Sequence, residues 1–177
     1  MITGGKTMRK PRVLKENGIY HITARINRGE FLLEHDEMKQ MVLDVIKRAK
    51  GKYDFILKNF CIMTNHFHLM LKTIKGENLS KIMQWILSVS AVKYNHLTGQ
   101  HGHVWYDRFH STVIESIRYY IKVFEYIADN PVKAGICMDR CSYPFGALWF
   151  IRRGRFELAE PPGRLLESHF PELKQTA

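Results

Sequence analysis

His66 and His68 stand two positions apart in TNHFHLMLK (residues 64–72), in the middle of an apolar run. In an extended strand, residues two apart share a face. His66, His68, Met70 and Lys72 then point one way, while Phe67, Leu69 and Leu71 point the other and read as core. Two imidazoles side by side can bind one divalent metal ion. The plainer reading is a pair of histidines satisfied by ordinary hydrogen bonds, and two histidines do not complete a metal site. Candidates for a third ligand are His21, Asp107, His110 and Asn130, and spacing does not choose among them.

A second stretch, YIADNPVKAG (126–135), carries Tyr126 and Asn130 four residues apart. On a helix these share a face. A phenol and an amide so placed can address one metal-bound phosphate. The plainer reading is a packed aromatic beside a helix-ending Asn-Pro. Tyr120 falls on the apolar stripe of the same segment and reads as core, whereas Tyr126 is less clearly inside.

Several elements must position these groups. Ile19 to Arg25 alternates as a first strand. Asp36 to Lys50 repeats its apolar residues at helical spacing, and Gly51 is a reasonable stop. Phe55–Met63 and His66–Thr73 read as a hairpin turning at Thr64-Asn65. Asn78 can cap a helix that extends to about His96. Tyr106–Val113 is a short strand candidate, and Ile114 to about Asp129 is a third helix that Pro131 stops near Asn130. A short helix at LLESHF (165–170) is expected in the tail. The order strand, helix, strand, strand, helix, strand predicts an α+β, ferredoxin-like split-βαβ fold. Its sheet would be antiparallel, with helices on one face and the other face open for a site. A further helix carrying Tyr126 follows.

Lys and Arg total 27 against 17 for Asp and Glu, a formal net charge of +10 that favours polyanionic partners. With 177 residues the chain suits one domain with a real core. The three cysteines, Cys61, Cys137 and Cys141, form no CxxC pair, which argues against a disulfide scaffold and a cysteine-rich zinc site. No apolar run approaches a membrane span and no signal segment is visible, so a cytoplasmic protein is expected. There is no Gly-rich phosphate loop.

NHFHLMLK, then WYDRFHS (105–111), then YIADNPVKAG resemble the signature blocks of the single-tyrosine HUH transposases, with the REP-associated tyrosine transposase branch the nearest likeness. YHITARINRG (20–29) resembles the opening block of that family, and residues 79–105 its middle helix and following loop. The likeness runs from about residue 10 to 143 and divides the chain into a basic lead-in (1–17), a transposase domain (18–143) and an extension of unassigned role (144–177). Two positions depart from the pattern: Thr64, where relatives often carry Pro, and Tyr106, where Gln or Glu is common.

The resemblance implies a metal-dependent enzyme that cleaves and rejoins single-stranded DNA beside hairpins through a 5′-phosphotyrosine. It implies Tyr126 as nucleophile and His66, His68 and Asn130 as ligands of Mg2+ or Mn2+. Phosphate contacts are expected from Lys72, Arg108, Lys122 and Lys133, and from the more distant Arg12, Arg25, Arg152, Arg153 and Arg155. Trp105 and Tyr106 are candidates for stacking on bases. The working unit is a monomer or homodimer. Two other classes fit the composition. One is a domesticated hairpin-DNA-binding protein without catalysis. The other is an RNA-binding ferredoxin-like domain, which would expose aromatic residues on the sheet where this chain has histidines.

Overall fold

The computed structural model describes residues 13–174; Arg12, expected as a DNA contact, lies outside them. Its elements run β1 (Ile19–Arg25), α1 (Asp36–Lys50), β2 (Phe55–Ile62), β3 (His66–Thr73), α2 (Leu79–Thr98), β4 (His110–Val113), α3 (Ile117–Lys133), α4 (Ala147–Arg152) and α5 (Arg164–His169). The sheet order is β2-β3-β1-β4 with every pair antiparallel, the split-βαβ arrangement that the element order predicts.

The two faces of the sheet divide by residue parity. Tyr20, Ile22 and Ala24 of β1 lie opposite Leu71, Leu69 and Phe67 of β3, and all six are buried. Phe67 packs on Trp105, whose indole is held by α2, so this face meets the helix layer of α1 and α2. Burying side chains of this size contributes roughly 1.5–3 kcal/mol each. His21, Thr23, His66, His68 and Met70 share the other face, and α3 crosses it.

The strand β2 breaks parity on purpose. Its register against β3 shifts between Leu57 and Asn59, leaving Lys58 as an extra residue. The bulge keeps Leu57, Phe60 and Ile62 on the α1–α2 side and turns Asn59 toward α3. Asn59 is fully buried. Its Nδ2 donates to Phe124 O of α3 (2.8 Å), and its Oδ1 accepts from Phe60 N (2.8 Å).

Several expected boundaries shift. The helix α1 ends at Lys50 as the spacing predicts, but Gly51 follows in the right-handed region (φ −78°), so glycine freedom is not what stops it. Asn78 caps α2, accepting from Ser80 N and Lys81 N, and α2 ends in the left-handed Gly99. Only His110–Val113 of the expected Tyr106–Val113 strand pairs with β1. The third helix starts at Ile117, capped by Ser116, rather than at Ile114. It also runs past Pro131 to Lys133. Proline costs a helix its own N–H bond, but here that loss falls in the final turns. The helix then closes with Ile136 N donating to Pro131 O and Gly135 N to Val132 O, Gly135 taking the left-handed φ of 70° that this closure needs.

The segment after residue 143 packs into the same core. Ile62 N donates to Phe145 O (2.9 Å) and Glu160 N to Leu57 O (3.0 Å), so the tail covers the outer edge of β2. The Tyr143 hydroxyl donates to Ile62 O (2.6 Å). Arg140 joins Asp129 of α3 (2.9 Å) to Glu172 (2.5 Å), and Phe170 packs on Phe124. The tail helix appears at Arg164–His169.

Replacing Asn59 by Ala strands the Phe60 N–H and removes the buried tie to α3. We expect N59A to lower the unfolding free energy by about 2 kcal/mol. Urea denaturation checks this, and a midpoint equal to that of the parent would refute it.

Candidate active site

The hairpin turn sets His66. Met63 N donates to His66 O (2.8 Å), closing the turn. Asn65 Nδ2 donates to Gly29 O (3.3 Å), which leaves Asn65 Oδ1 to accept from His66 Nδ1 (2.7 Å). His66 therefore carries its proton on Nδ1 and presents the Nε2 lone pair.

The first strand sets His68. Thr23 lies directly opposite it in the β1–β3 register. His68 Nδ1 is 3.0 Å from Thr23 Oγ1 and 3.1 Å from His21 Nε2. His68 is only 3% exposed, and its Nε2 is buried with no hydrogen-bond partner among the described residues. An orphaned polar atom of this kind costs about 1–3 kcal/mol unless something takes it up.

From the opposite side, α3 brings Tyr126 and Asn130. The Tyr126 ring lies 5.4 Å from the His68 ring and 5.6 Å from the His21 ring, edge-on to both. Tyr126 stays 44% exposed. Asn130 Nδ2 donates to Tyr126 O (2.8 Å), which leaves its side-chain oxygen for the site. Tyr120 packs against the core, where burial and then Glu160 push its phenol up to about 12.

Burial favours the neutral form of all three imidazoles. It is the main cause of a lowered pKa at His66, with Arg25 adding to it and the Asn130 side chain working against it. At His21 burial acts with His110. At His68 burial, His66, His21 and Arg25 together bring the value down to about 3. A neutral imidazole is the form that binds a metal.

The expected third ligands separate. Asn130 reaches His66, His21 backs His68, and the exposed His110 pairs across from Thr23 on β4. Asp107 lies in the loop before β4. Among the described residues no group of three or more His, Cys, Asp or Glu is arranged around a metal position. The donor set is two imidazoles and an amide oxygen. With His68 Nε2 unpartnered among the described residues, these residues fit a divalent cation that keeps open positions.

The cationic candidates also sort by place. Arg25, thought distant, lies opposite His66 in the register. Lys133 Nζ sits 5.9 Å from the Tyr126 ring while also pairing with Asp129 (3.5 Å). Lys122 is exposed one turn before Tyr126. Lys72 shares the histidine face but sits six residues from His66, roughly 20 Å along the strand. Arg108 lies in the loop before β4. Arg152, Arg153 and Arg155 are engaged in the tail by Asp139, Trp149 and Glu157. Trp105 is half-buried: its indole N–H donates to Leu87 O (3.0 Å) and its ring packs on Phe67, on the α2 side of the sheet. Tyr106 at this end of the sheet is an exposed ring. Thr23, Asn59 and Asn65 were missed as positioning groups, because strand register is what reveals them.

The chain matches the family described as transposase IS200-like over residues 15–130. It belongs to that family and is a transposase by class. A solved REP-associated tyrosine transposase, bound to a REP hairpin, shares the fold with TM-score 0.69 and 22% identity, over 89% of this chain and 92% of that one. A Deinococcus radiodurans R1 protein, assigned provisionally as a transposase, aligns with TM-score 0.49 and 16% identity, over 69% of this chain and 97% of that one. No curated protein matches the chain significantly. Among the described residues no helix is long and apolar enough to cross a membrane.

The buried histidines make stability depend on pH. With His68 at about 3 folded and near 6.5 unfolded, the unfolded chain binds the extra proton between those values. Stability is therefore full above about pH 6.5 and falls as pH drops, by up to about 1.4 kcal/mol per pH unit from this residue. Urea midpoints of metal-free protein should be flat from about pH 8 to 7 and decline below about 6.5. A profile flat down to about pH 4.5 would contradict this burial of His68.

Proposed function

We propose that the chain cleaves and rejoins single-stranded DNA beside a hairpin through a covalent link to Tyr126. The observation that carries this reading is the approach of Tyr126, within one chain, to a histidine pair whose buried His68 Nε2 has no partner among the described residues. The hairpin in the REP-associated relative supports the substrate class, as does the net charge of +10.

His66 Nε2, His68 Nε2 and the side-chain oxygen of Asn130 would hold Mg2+ or Mn2+, which when bound supplies positive charge to the non-bridging oxygens of the scissile phosphate. Arg25, Lys122 and Lys133 grip the phosphates on either side. Tyr126 Oη attacks phosphorus in line as the bond to the 3′ oxygen breaks. The phenolic proton leaves to water and the 3′ oxygen takes one up, so the step is proton-neutral. The products are a 5′-phosphotyrosine and a 3′-hydroxyl. Attack by this hydroxyl, or by one from another strand, reverses the step without ATP.

Mass spectrometry of the protein trapped on a hairpin oligonucleotide should map the adduct to Tyr126. Y126F keeps the ring, so it should fold and bind DNA yet form no adduct, and Y120F should remain active. H66A and H68A should each slow cleavage roughly 100-fold or more, the scale of losing one electrostatic stabiliser, and EDTA should abolish it. An adduct on Tyr119 or Tyr120 would refute the assignment. Tight hairpin binding with no adduct in either metal would favour the non-catalytic reading.

A further inference from the structure

Beside His66 lies a pocket of about 230 Å3 lined by Arg25, Ile26, Arg28, Gly29, Asn65 and Tyr106. It is smaller than the roughly 300–1,000 Å3 of a typical small-molecule site. It also abuts the site directly: Arg25 lies opposite His66 in the strand register, and the Asn65 side chain bonds the His66 ring. We propose that this pocket is a subsite for one unpaired nucleotide adjoining the scissile phosphate, its base stacked on Tyr106 and its phosphates held by Arg25 and Arg28.

Three observations point to this ligand. First, Tyr106 is 70% exposed, so its ring is open to a ligand. Its backbone is fixed even so, because Tyr106 N donates to Arg25 O (2.9 Å) and the neighbouring Trp105 bridges to Ile26. An open aromatic ring on an anchored backbone suits stacking, which every base allows. Second, Arg28 adopts a left-handed backbone (φ 55°, ψ 10°). That conformation is costly for a residue with a Cβ, and such strain collects at ligand-holding sites. The turn is held from both sides by Glu30 N donating to Asn27 O (3.2 Å) and Asn65 Nδ2 donating to Gly29 O (3.3 Å). Third, Arg25 and Arg28 form no salt bridge with an acidic group among the described residues, and a planar guanidinium suits phosphate oxygens. Tyr106 also borders a second hollow of about 630 Å3, with Gln84, Ser88, Trp105 and Arg108 on its walls. A strand leaving the histidine site can continue along it.

The position of the scissile phosphate in this proposal rests on the proposed function, but binding at the subsite does not need cleavage. The test uses full-length protein and a hairpin oligonucleotide with a short single-stranded overhang, 2-aminopurine replacing one overhang base at a time. Binding should quench the fluorescence at one overhang position. Y106A should abolish that quenching and weaken binding by about 5- to 140-fold, the range set by losing one stack, whereas Y106F should restore both. R28G relieves the backbone strain, so it should raise the urea midpoint while weakening DNA binding and lowering the salt dependence by about one ion. A residue with a purely structural role would not move stability and affinity in opposite directions. Affinity of Y106A within twofold of the parent, or quenching unchanged in Y106A, would overturn the subsite even if Tyr126 forms its adduct. Quenching and affinity lost in Y106A from a protein that forms no adduct would uphold the subsite and count against the proposed function instead.

Discussion

The antiparallel pairing of β1 with β3 is the constraint on which the site depends. One register sets Thr23 against His68, His21 beside it, and Arg25 against His66. A slip of one residue would turn Ile22 and Ala24 onto the histidine face and drive His21 and Thr23 into the helix layer. The apolar partners Tyr20–Leu71, Ile22–Leu69 and Ala24–Phe67 make that slip costly. The core thus fixes the site from the far side of the same strands.

The face that carries the histidines gains its second half from α3. A buried asparagine at the β2 bulge reaches that helix near its middle, and Arg140 ties a later turn of it to the tail. Tyr126 lies between these two attachments. It is exposed enough to meet a substrate, yet it sits on a helix whose inner side, Val123, Phe124 and Ile127, is buried.

Much of this was readable from residue order, because period-two and period-3.6 patterns are local. The alternation of β1 and β3, the stripe of α1 and the Asn78 cap follow from neighbouring side chains. The pairing of His66 and His68 on one face follows from parity alone. What escaped depends on non-local geometry. The extra residue Lys58 hides inside a run that counts as a continuous strand. Pro131 looks like a stop, although a helix tolerates it in its last turns when a left-handed glycine follows. Arg25 looked distant because its nearness to His66 exists only once two strands are aligned. The tail carries no motif, and its role in covering β2 comes from backbone groups, which every sequence has.

That covering tail bears on the order in which the molecule matures as it is synthesised. The β2 edge and the inner side of α3 meet their last partners at residues 145–173, well after Tyr126 has been made. At typical synthesis rates that interval is on the order of seconds. Until then β2 offers unpaired backbone groups, and α3 lacks both Phe170 and the Arg140–Glu172 link. A newly made chain therefore contains the strands that carry its histidine pair (residues 19–73) before it contains the residues that clamp the tyrosine helix against them. The two halves of the site are thus separated in the order of synthesis: the histidine strands come first, and the contacts that clamp the tyrosine helix come last.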